Sequence, residues 1–322
     1  MREKPLGEGL PLSPKPASQY LIGLTGNIAT GKTLVLERLR QHGAFCLDAD
    51  KLAHECMRKG TSAWEDIRRR FGERVLQPGG EVDRAILGEI VFADPLALRD
   101  LEAIIHPWVV QAVEERLAAS TATVAIVEAI KLLEASLGSH CQAIWVTTCA
   151  PELQAQRLMH SRFLSEEAAW QRIWAQPPAA AKVQCADVLL ENDGSRQELL
   201  ALVDQEWAEI EGGAAPGRDT QPGEPCWCEG TWRVSESWHQ AAAVTLAPGL
   251  LRLTVSRPSR LARLGRRLLP TLEEEARCQG WDNLTLLVPA RTGYRQFLMG
   301  SGYQEDKYGG REPGETAFRR SL

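Results

Sequence analysis

Apolar positions in the first two-thirds of the chain follow two patterns. Short unbroken apolar runs occupy residues 20–24, 44–47, 123–127, 142–147 and 187–190. Around them lie segments in which apolar residues recur every three or four positions: 34–40, 151–158, 166–175 and 195–210. A short apolar run fits a strand covered on both faces, and the three-to-four spacing fits an amphipathic helix. Alternation of the two predicts a parallel sheet with helices on both faces, an α/β fold. Residues 52–117 depart from it. Helical spacing marks 63–71, 84–91, 95–105 and 109–117 without a strand-like run, which predicts a helical insertion after the second strand.

The pattern stops at residues 211–225, EGGAAPGRDTQPGEP. Rich in glycine, proline and alanine and without periodicity, this stretch reads as a linker. It separates a domain over 20–210 from a smaller one over 226–322. In the latter, 251–255 and 284–288 read as strands, and Leu261, Leu264, Leu268, Leu269 and Leu272 form an apolar stripe at helical spacing. The expectation is a smaller α+β domain. Its helix begins among Arg257, Arg260, Arg263, Arg266 and Arg267, which either meet phosphates or form a solvated basic face. Residues 1–19 are rich in proline and glycine and lack an apolar core, so they read as a flexible tail and not a signal peptide.

Composition narrows the partners. A formal charge of −5 gives no bulk attraction to nucleic acid or to an anionic membrane. No apolar run approaches a membrane span. The 8 cysteines lack framework spacing, which fits a reduced, cytoplasmic protein.

The most specific chemistry lies after the first strand. Gly26-Asn27-Ile28-Ala29-Thr30-Gly31-Lys32-Thr33 is a complete G-x-x-x-x-G-K-[ST] phosphate loop, set between a strand and a helix. Glycines let backbone N–H groups turn inward around phosphate oxygens, and the helix start adds free donors to the same anion. In that frame the loop holds a nucleoside triphosphate, Lys32 reaches the β and γ phosphates, and the Thr33 hydroxyl meets Mg2+. The second strand ends in Leu47-Asp48-Ala49-Asp50. Two carboxylates two residues apart share a direction on an extended segment. One could take a proton from an attacking hydroxyl while the other helps hold Mg2+; equally, both could cap the next helix. Glu128 ends the third strand, where a metal-orienting acid belongs, or is an ordinary strand-end acid. Arg157, Arg162 and Arg172 flank a short connection that could close on the transferred phosphate, or they serve solubility.

Together these segments resemble the dephospho-CoA kinase family over about residues 20–207. The carriers are Gly23-Leu24-Thr25-Gly26 through Thr33, Leu47-Asp48-Ala49-Asp50 with Ala53, Phe71-Gly72, Asp83-Arg84 with Leu87, Val91-Phe92, Leu101-Glu102 with Ile105-His106-Pro107, and Gln176 with Ala186-Asp187 and Asn192. The resemblance implies transfer of the ATP γ-phosphoryl group to the ribose 3′-hydroxyl of dephospho-CoA. It implies a P-loop nucleoside-kinase-like core, a helical insertion that receives the acceptor, and a lid. It makes Asp50 the base with Lys32 and Arg162 as catalytic partners. Asp48, Arg84 and His106 fall on the acceptor side, Asn192 on the nucleotide side, and Thr33 and Glu128 toward Mg2+. Where the family carries D-x-P-L-L-x-E, this chain has Glu128-Ala129-Ile130-Lys131-Leu132-Leu133-Glu134. Ser161 stands at the family's lid arginine, one residue before Arg162. These departures leave a non-catalytic nucleotide or CoA sensor as an alternative. In the second domain, Tyr294 to Tyr303 resembles the closing segment of GNAT-type N-acetyltransferases, which implies an acetyl-CoA loop at Ala262-Arg263-Leu264-Gly265-Arg266-Arg267, of which only Gly265 matches. An N-acetyltransferase with a regulatory kinase-like domain is the further alternative.

Overall fold

The computed structural model describes residues 19–130, 132, 137–213, 225–228, 231–236, 239–247, 250–255, 258–306 and 315–322. In chain order the elements up to the predicted linker are β1 (Tyr20–Gly26), α1 (Lys32–Gln41), β2 (Phe45–Asp48), α2 (Ala49–Cys56), α3 (Ser62–Phe71), α4 (Arg84–Ala93), α5 (Pro95–Ala118), β3 (Val124–Glu128), β4 (Ala143–Thr148), α6 (Pro151–Arg162), α7 (Glu166–Trp174), α8 (Ala179–Gln184), β5 (Val188–Glu191) and α9 (Arg196–Glu211). Beyond it come β6 (Cys226–Cys228), β7 (Thr231–Glu236), β8 (His239–Ala247), β9 (Leu250–Val255), α10 (Leu261–Cys278), β10 (Asn283–Pro289), α11 (Thr292–Gly300), β11 (Gln304–Asp306) and β12 (Glu315–Ser321). Most of the predicted linker, 214–224, lies outside the described residues, as do Lys131, Leu133, Glu134 and Arg257. The chain forms two compact bodies, one of Gly43–His140 with the start of β1, the other of Ile22–His42 and Cys141–Leu322.

In the first body β2 and β3 pair in parallel, with Phe45 opposite Ala125 and Asp48 opposite Glu128. Gln19, expected in the flexible tail, is instead buried and donates its side-chain amide to Ala122 O at 2.8 Å. The insertion is helical, as its spacing predicts. Trp64, Ile67 and Phe71 of α3 lie on one face and meet Val75, Leu87 and Val91 in a common core. Side chains cap the orphan amides at each start: Thr61 accepts from Trp64 N, Asp83 from Ala85 N and Ile86 N, and Asp94 from Leu96 N. Two expectations fail here. The stretches 95–105 and 109–117 form one helix of 24 residues that runs through Pro107. An internal proline costs roughly 3 kcal/mol; burial of Ala97 on one side and of Val109, Ala112, Val113 and Leu117 on the other outweighs it. An isolated antiparallel bridge, Leu76 to Val82, closes a small turn where no extended segment was expected.

In the second body β1 pairs in parallel with β4, Ile22 opposite Ala143 and Gly26 opposite Thr147. Strand β4 pairs in parallel with β5, Trp145 opposite Val188 and Thr148 opposite Glu191. Helix α9 opens with a reciprocal cap between Ser195 and Glu198. The C-terminal strands form a seven-stranded sheet in the order β11-β12-β10-β9-β8-β7-β6. The β9–β10 pair is parallel, Leu286 opposite Leu251, and the other neighbours are antiparallel. Helix α10 buries the leucine stripe at Leu261, Leu264, Leu268, Leu269 and Leu272. The sequence pattern anticipates β9, β10 and α10 but not the other five strands. Alanine-rich β8, HQAAAVTLA, and β11, QED, carry little strand propensity of their own, and β6 is too short to show a pattern.

The C-terminal sheet packs on the elements that precede the linker. A 3-10 turn, Pro258–Arg260, and α10 lie against β5, and α11 lies against α8. Neither reading of the arginine cluster describes Arg260 and Arg263. Arg260 is 1% exposed and pairs with Glu206 and Glu209 of α9; Arg263 is buried against Asp187 at 3.0 Å. An arginine fork can be buried when carboxylates meet its donors, and these carboxylates come from α9 and from the residue just before β5.

Candidate functional site

The phosphate loop turns on two glycines. Gly26 has φ 154° and Gly31 has φ 100°, values that L side chains rarely adopt. Space forbids a side chain as well. A Cβ on Gly26 would collide with Thr147 Oγ1, and one on Gly31 with the Asn192 amide. Ala29 also has positive φ, 59°. Lys32 and Thr33 open α1, whose buried face is Val35, Leu36 and Leu39, and Thr33 is exposed in its first turn. Lys32 Nζ donates to Gly26 O at 2.9 Å, across the mouth of the loop.

The loop is fastened from several directions within its own body. Thr30 Oγ1 donates to Asn27 O at 2.7 Å and shares a hydrogen bond with Thr147 Oγ1. Ile28 N donates to Gln176 Oε1 at 2.7 Å, and Asn27 Nδ2 to Pro177 O at 3.0 Å. Buried Lys182 donates to Asn27 Oδ1 at 3.0 Å. Asn192 Nδ2 donates to Thr30 O at 2.9 Å. Arg157 reaches Ala29 O at 3.3 Å and Asn192 O at 2.9 Å. Of the three candidate lid arginines, Arg157 is therefore the one at the loop; Arg162 lies in the exposed last turn of α6 and Arg172 is exposed on α7. Helices α6 and α7 join through Phe163 (φ 53°), and Ile28 and Ala29 of the loop pack against their shared core of Ala155, Leu158 and Ala169. Cys149, beside Arg157, is pushed up to about 12 by burial, so its thiol stays protonated.

In the first body, Asp48 is the last residue of β2 and caps α2, accepting from Lys51 N at 2.9 Å. Asp50 lies in the first turn of α2, and its Oδ2 accepts from Ile130 N at 3.3 Å. The two carboxylates thus do not share an extended segment, as their spacing suggested: the helix begins between them, and that breaks the period-two direction. Asp48 stands opposite Glu128 across the β2–β3 ladder. A pocket of about 210 Å³ joins Asp50 to Glu102 and His106, with Leu98, Leu101 and Val109 as apolar wall. A mostly apolar lining with a few polar groups suits a heterocycle or sugar. Arg84 is not among its lining residues. It borders a larger cleft of about 700 Å³ with Lys51, His54, Arg58, Glu81 and Asp83. Among the described residues no group of three or more His, Cys, Asp or Glu side chains could hold a metal. Thr33 carries a hydroxyl and Glu128 a carboxylate, each an oxygen donor of the type that a hard cation accepts.

Sequence reading left out Thr147 and Lys182. Lys182 had a signal: a single lysine in the apolar six-residue helix AAAKVQ, just before a buried strand. Thr147 had none, because its role arises only from β4 lying beside β1.

The family model described as dephospho-CoA kinase matches residues 20–198. A dephospho-CoA kinase of Geobacter sulfurreducens is 41% identical over 191 residues, 58% of this chain and 97% of that protein. One of Thermobifida fusca is 38% identical over 191 residues, 59% of this chain and 96% of that protein. The crystal structure of TT1252 from Thermus thermophilus is 34% identical, with a TM-score of 0.53, covering 60% of this chain and 98% of that one. The stretch that the family model matches carries the phosphate loop, the insertion and the Gln176–Asn192 segment. With the family model spanning more than half its length, the chain belongs to the dephospho-CoA kinase family.

Proposed function

We propose that in this kinase Asp50 is the general base that takes the proton of the dephospho-CoA ribose 3′-hydroxyl as the ATP γ-phosphoryl group arrives, leaving CoA and ADP. The observation that carries this role is the pocket that joins the Asp50 carboxylate to His106 and Glu102 over an apolar wall. Lys32 leaves its contact with Gly26 O and spreads the charge of the transferring group. Phosphoryl transfer asks the protein chiefly for positioning and charge stabilisation. Mg2+, bound mainly through ATP, neutralises the phosphates, with Thr33 and Glu128 as the protein oxygens suited to it. His106 orients the acceptor ribose. Arg84, with Lys51 and Arg58, suits the acceptor's pyrophosphate. Arg157 takes the lid role at the loop, and Arg162 approaches only as the lid closes.

The domain beyond residue 225 is GNAT-like in this reading through the Tyr294–Tyr303 segment, and we assign it no acetyl transfer. Arg260 and Arg263 at its helix start are committed to carboxylates. The ring of Phe297 fills the space at Gly265, where a Cβ would lie 2.5 Å from it. The six cysteines with described side chains form no disulfide, which suits a reducing cytoplasm.

Replacing Asp50 with Asn should lower kcat by about two to four orders of magnitude, the usual range for losing a base, with ATP affinity nearly unchanged. Replacing Lys32 with Ala should remove turnover altogether. A wild-type kcat for Asp50→Asn would take the base role from Asp50. Tight ATP binding without turnover in the wild-type protein would favour a nucleotide sensor.

A further inference from the structure

The segment that fastens the phosphate loop is itself held by the C-terminal domain. Gln176, Lys182 and Asn192 contact Ile28, Asn27 and Thr30 of the loop, and the last two of these residues sit on α8 and directly after β5. The C-terminal domain grips both elements. On α8, Gln184 donates to Phe297 O and to Ser301 Oγ of the α11 end. The approach is close: a Cβ on Gly300 would lie 3.0 Å from the Gln184 side chain. On β5, Arg263 holds Asp187 just before the strand at 3.0 Å. At the far end Glu191 accepts from Gly293 N at 3.4 Å and pairs with Arg291 at 3.1 Å. Thr148, whose carbonyl accepts from Asn192 N at 2.8 Å, hydrogen-bonds Gln296 of α11 through its hydroxyl. Burial raises the Glu191 carboxyl above its usual range while Arg291 opposes the shift, so this contact sits in a partly dry setting where its geometry is costly to change.

These contacts are directional, and they fall on the two residues that bracket β5 and on the strand end whose carbonyl receives Asn192. Apolar packing alone would join two domains without fixing those positions. We propose that the C-terminal domain is a positioning part of the nucleotide site: by holding β5 at both ends and α8 through Gln184, it sets where Lys182 and Asn192 stand against the phosphate loop. Arg291 and Gln296 are positioning residues in this scheme and touch no substrate. The proposal rests on the reading of the loop as the ATP site.

Arg291 is half exposed, so its variants keep the fold. Steady-state kinetics with ATP and dephospho-CoA varied in turn, on Arg291→Glu, Arg291→Lys, Asn192→Ala and the Arg291→Glu/Asn192→Ala pair, tests the scheme. Arg291→Glu should raise KM for ATP by about fivefold, the scale of coupling through such networks. KM for dephospho-CoA and kcat should stay near wild type, and Arg291→Lys should restore most of the ATP affinity. In the pair, Arg291→Glu should add little to the effect of Asn192→Ala, because both act on one contact. An unchanged ATP KM in Arg291→Glu, or effects that multiply fully in the pair, would overturn the proposal. Failure of the wild-type protein to bind ATP would instead overturn the reading of the loop on which it rests.

Discussion

Single residues decide the nucleotide site, and the sequence exposed most of them unevenly. Gly26 and Gly31 are legible because a phosphate loop has a fixed length and a fixed place between strand and helix. The structure supplies the reason each cannot carry a side chain, Thr147 at one and Asn192 at the other. Asp48 and Asp50 are legible as acids at a strand end, yet their relation is not. The chain turns helical at Ala49, so only Asp50 joins His106 in a pocket while Asp48 caps the helix. Thr147 stays hidden, since a contact over more than a hundred residues of sequence leaves no local pattern, and Lys182 shows only as a lone lysine in an apolar helix, with no hint of its partner Asn27.

At the scale of elements, the five parallel strands and the insertion helices follow from apolar runs and spacing, whereas boundaries and short strands do not. Helix α5 continues through Pro107 because packing outweighs a local preference, a balance that periodicity does not register. The α1–α9 pair offers a clean electrostatic test. Arg38 and His42 of the α1 end meet Asp204 of α9, and hydrogen bonding to Arg38 holds the Asp204 carboxyl down to about 2. A carboxyl depressed in the folded state stabilises above its unfolded pKa, about 3.9, and that stabilisation is lost as pH falls through the folded value. Asp204→Asn should therefore melt below wild type at pH 7, and the two melting curves should converge as pH approaches 2. A gap that persists at pH 2 would assign the effect to packing.

For the whole molecule, the sequence pattern predicts two domains joined by a linker. The buried contacts of Arg260 with Glu206 and Glu209, and of Arg263 with Asp187, make the second domain part of the same compact body as the phosphate loop. Sequence could not reveal this, because a run of arginines at a helix start looks the same whether solvated or buried. Breaking a buried ion pair on one side costs about 3–5 kcal/mol. Arg260→Met should lower the melting temperature by on the order of 10 °C, and a chain ending at residue 213 should lose stability and ATP affinity together. A truncated chain with wild-type melting and wild-type ATP KM would return the second domain to the status of an independent module.

As a member of the dephospho-CoA kinase family, the protein transfers the ATP γ-phosphoryl group to the 3′-hydroxyl of dephospho-CoA. The most direct measurement offers the purified protein γ-labelled ATP, Mg2+ and equal concentrations of dephospho-CoA and adenosine, and follows the label into product. Label should appear in the 3′-phosphate of CoA, with ADP formed in equal amount and adenosine left unlabelled. Label in adenosine, or none in CoA while ATP is bound, would contradict it.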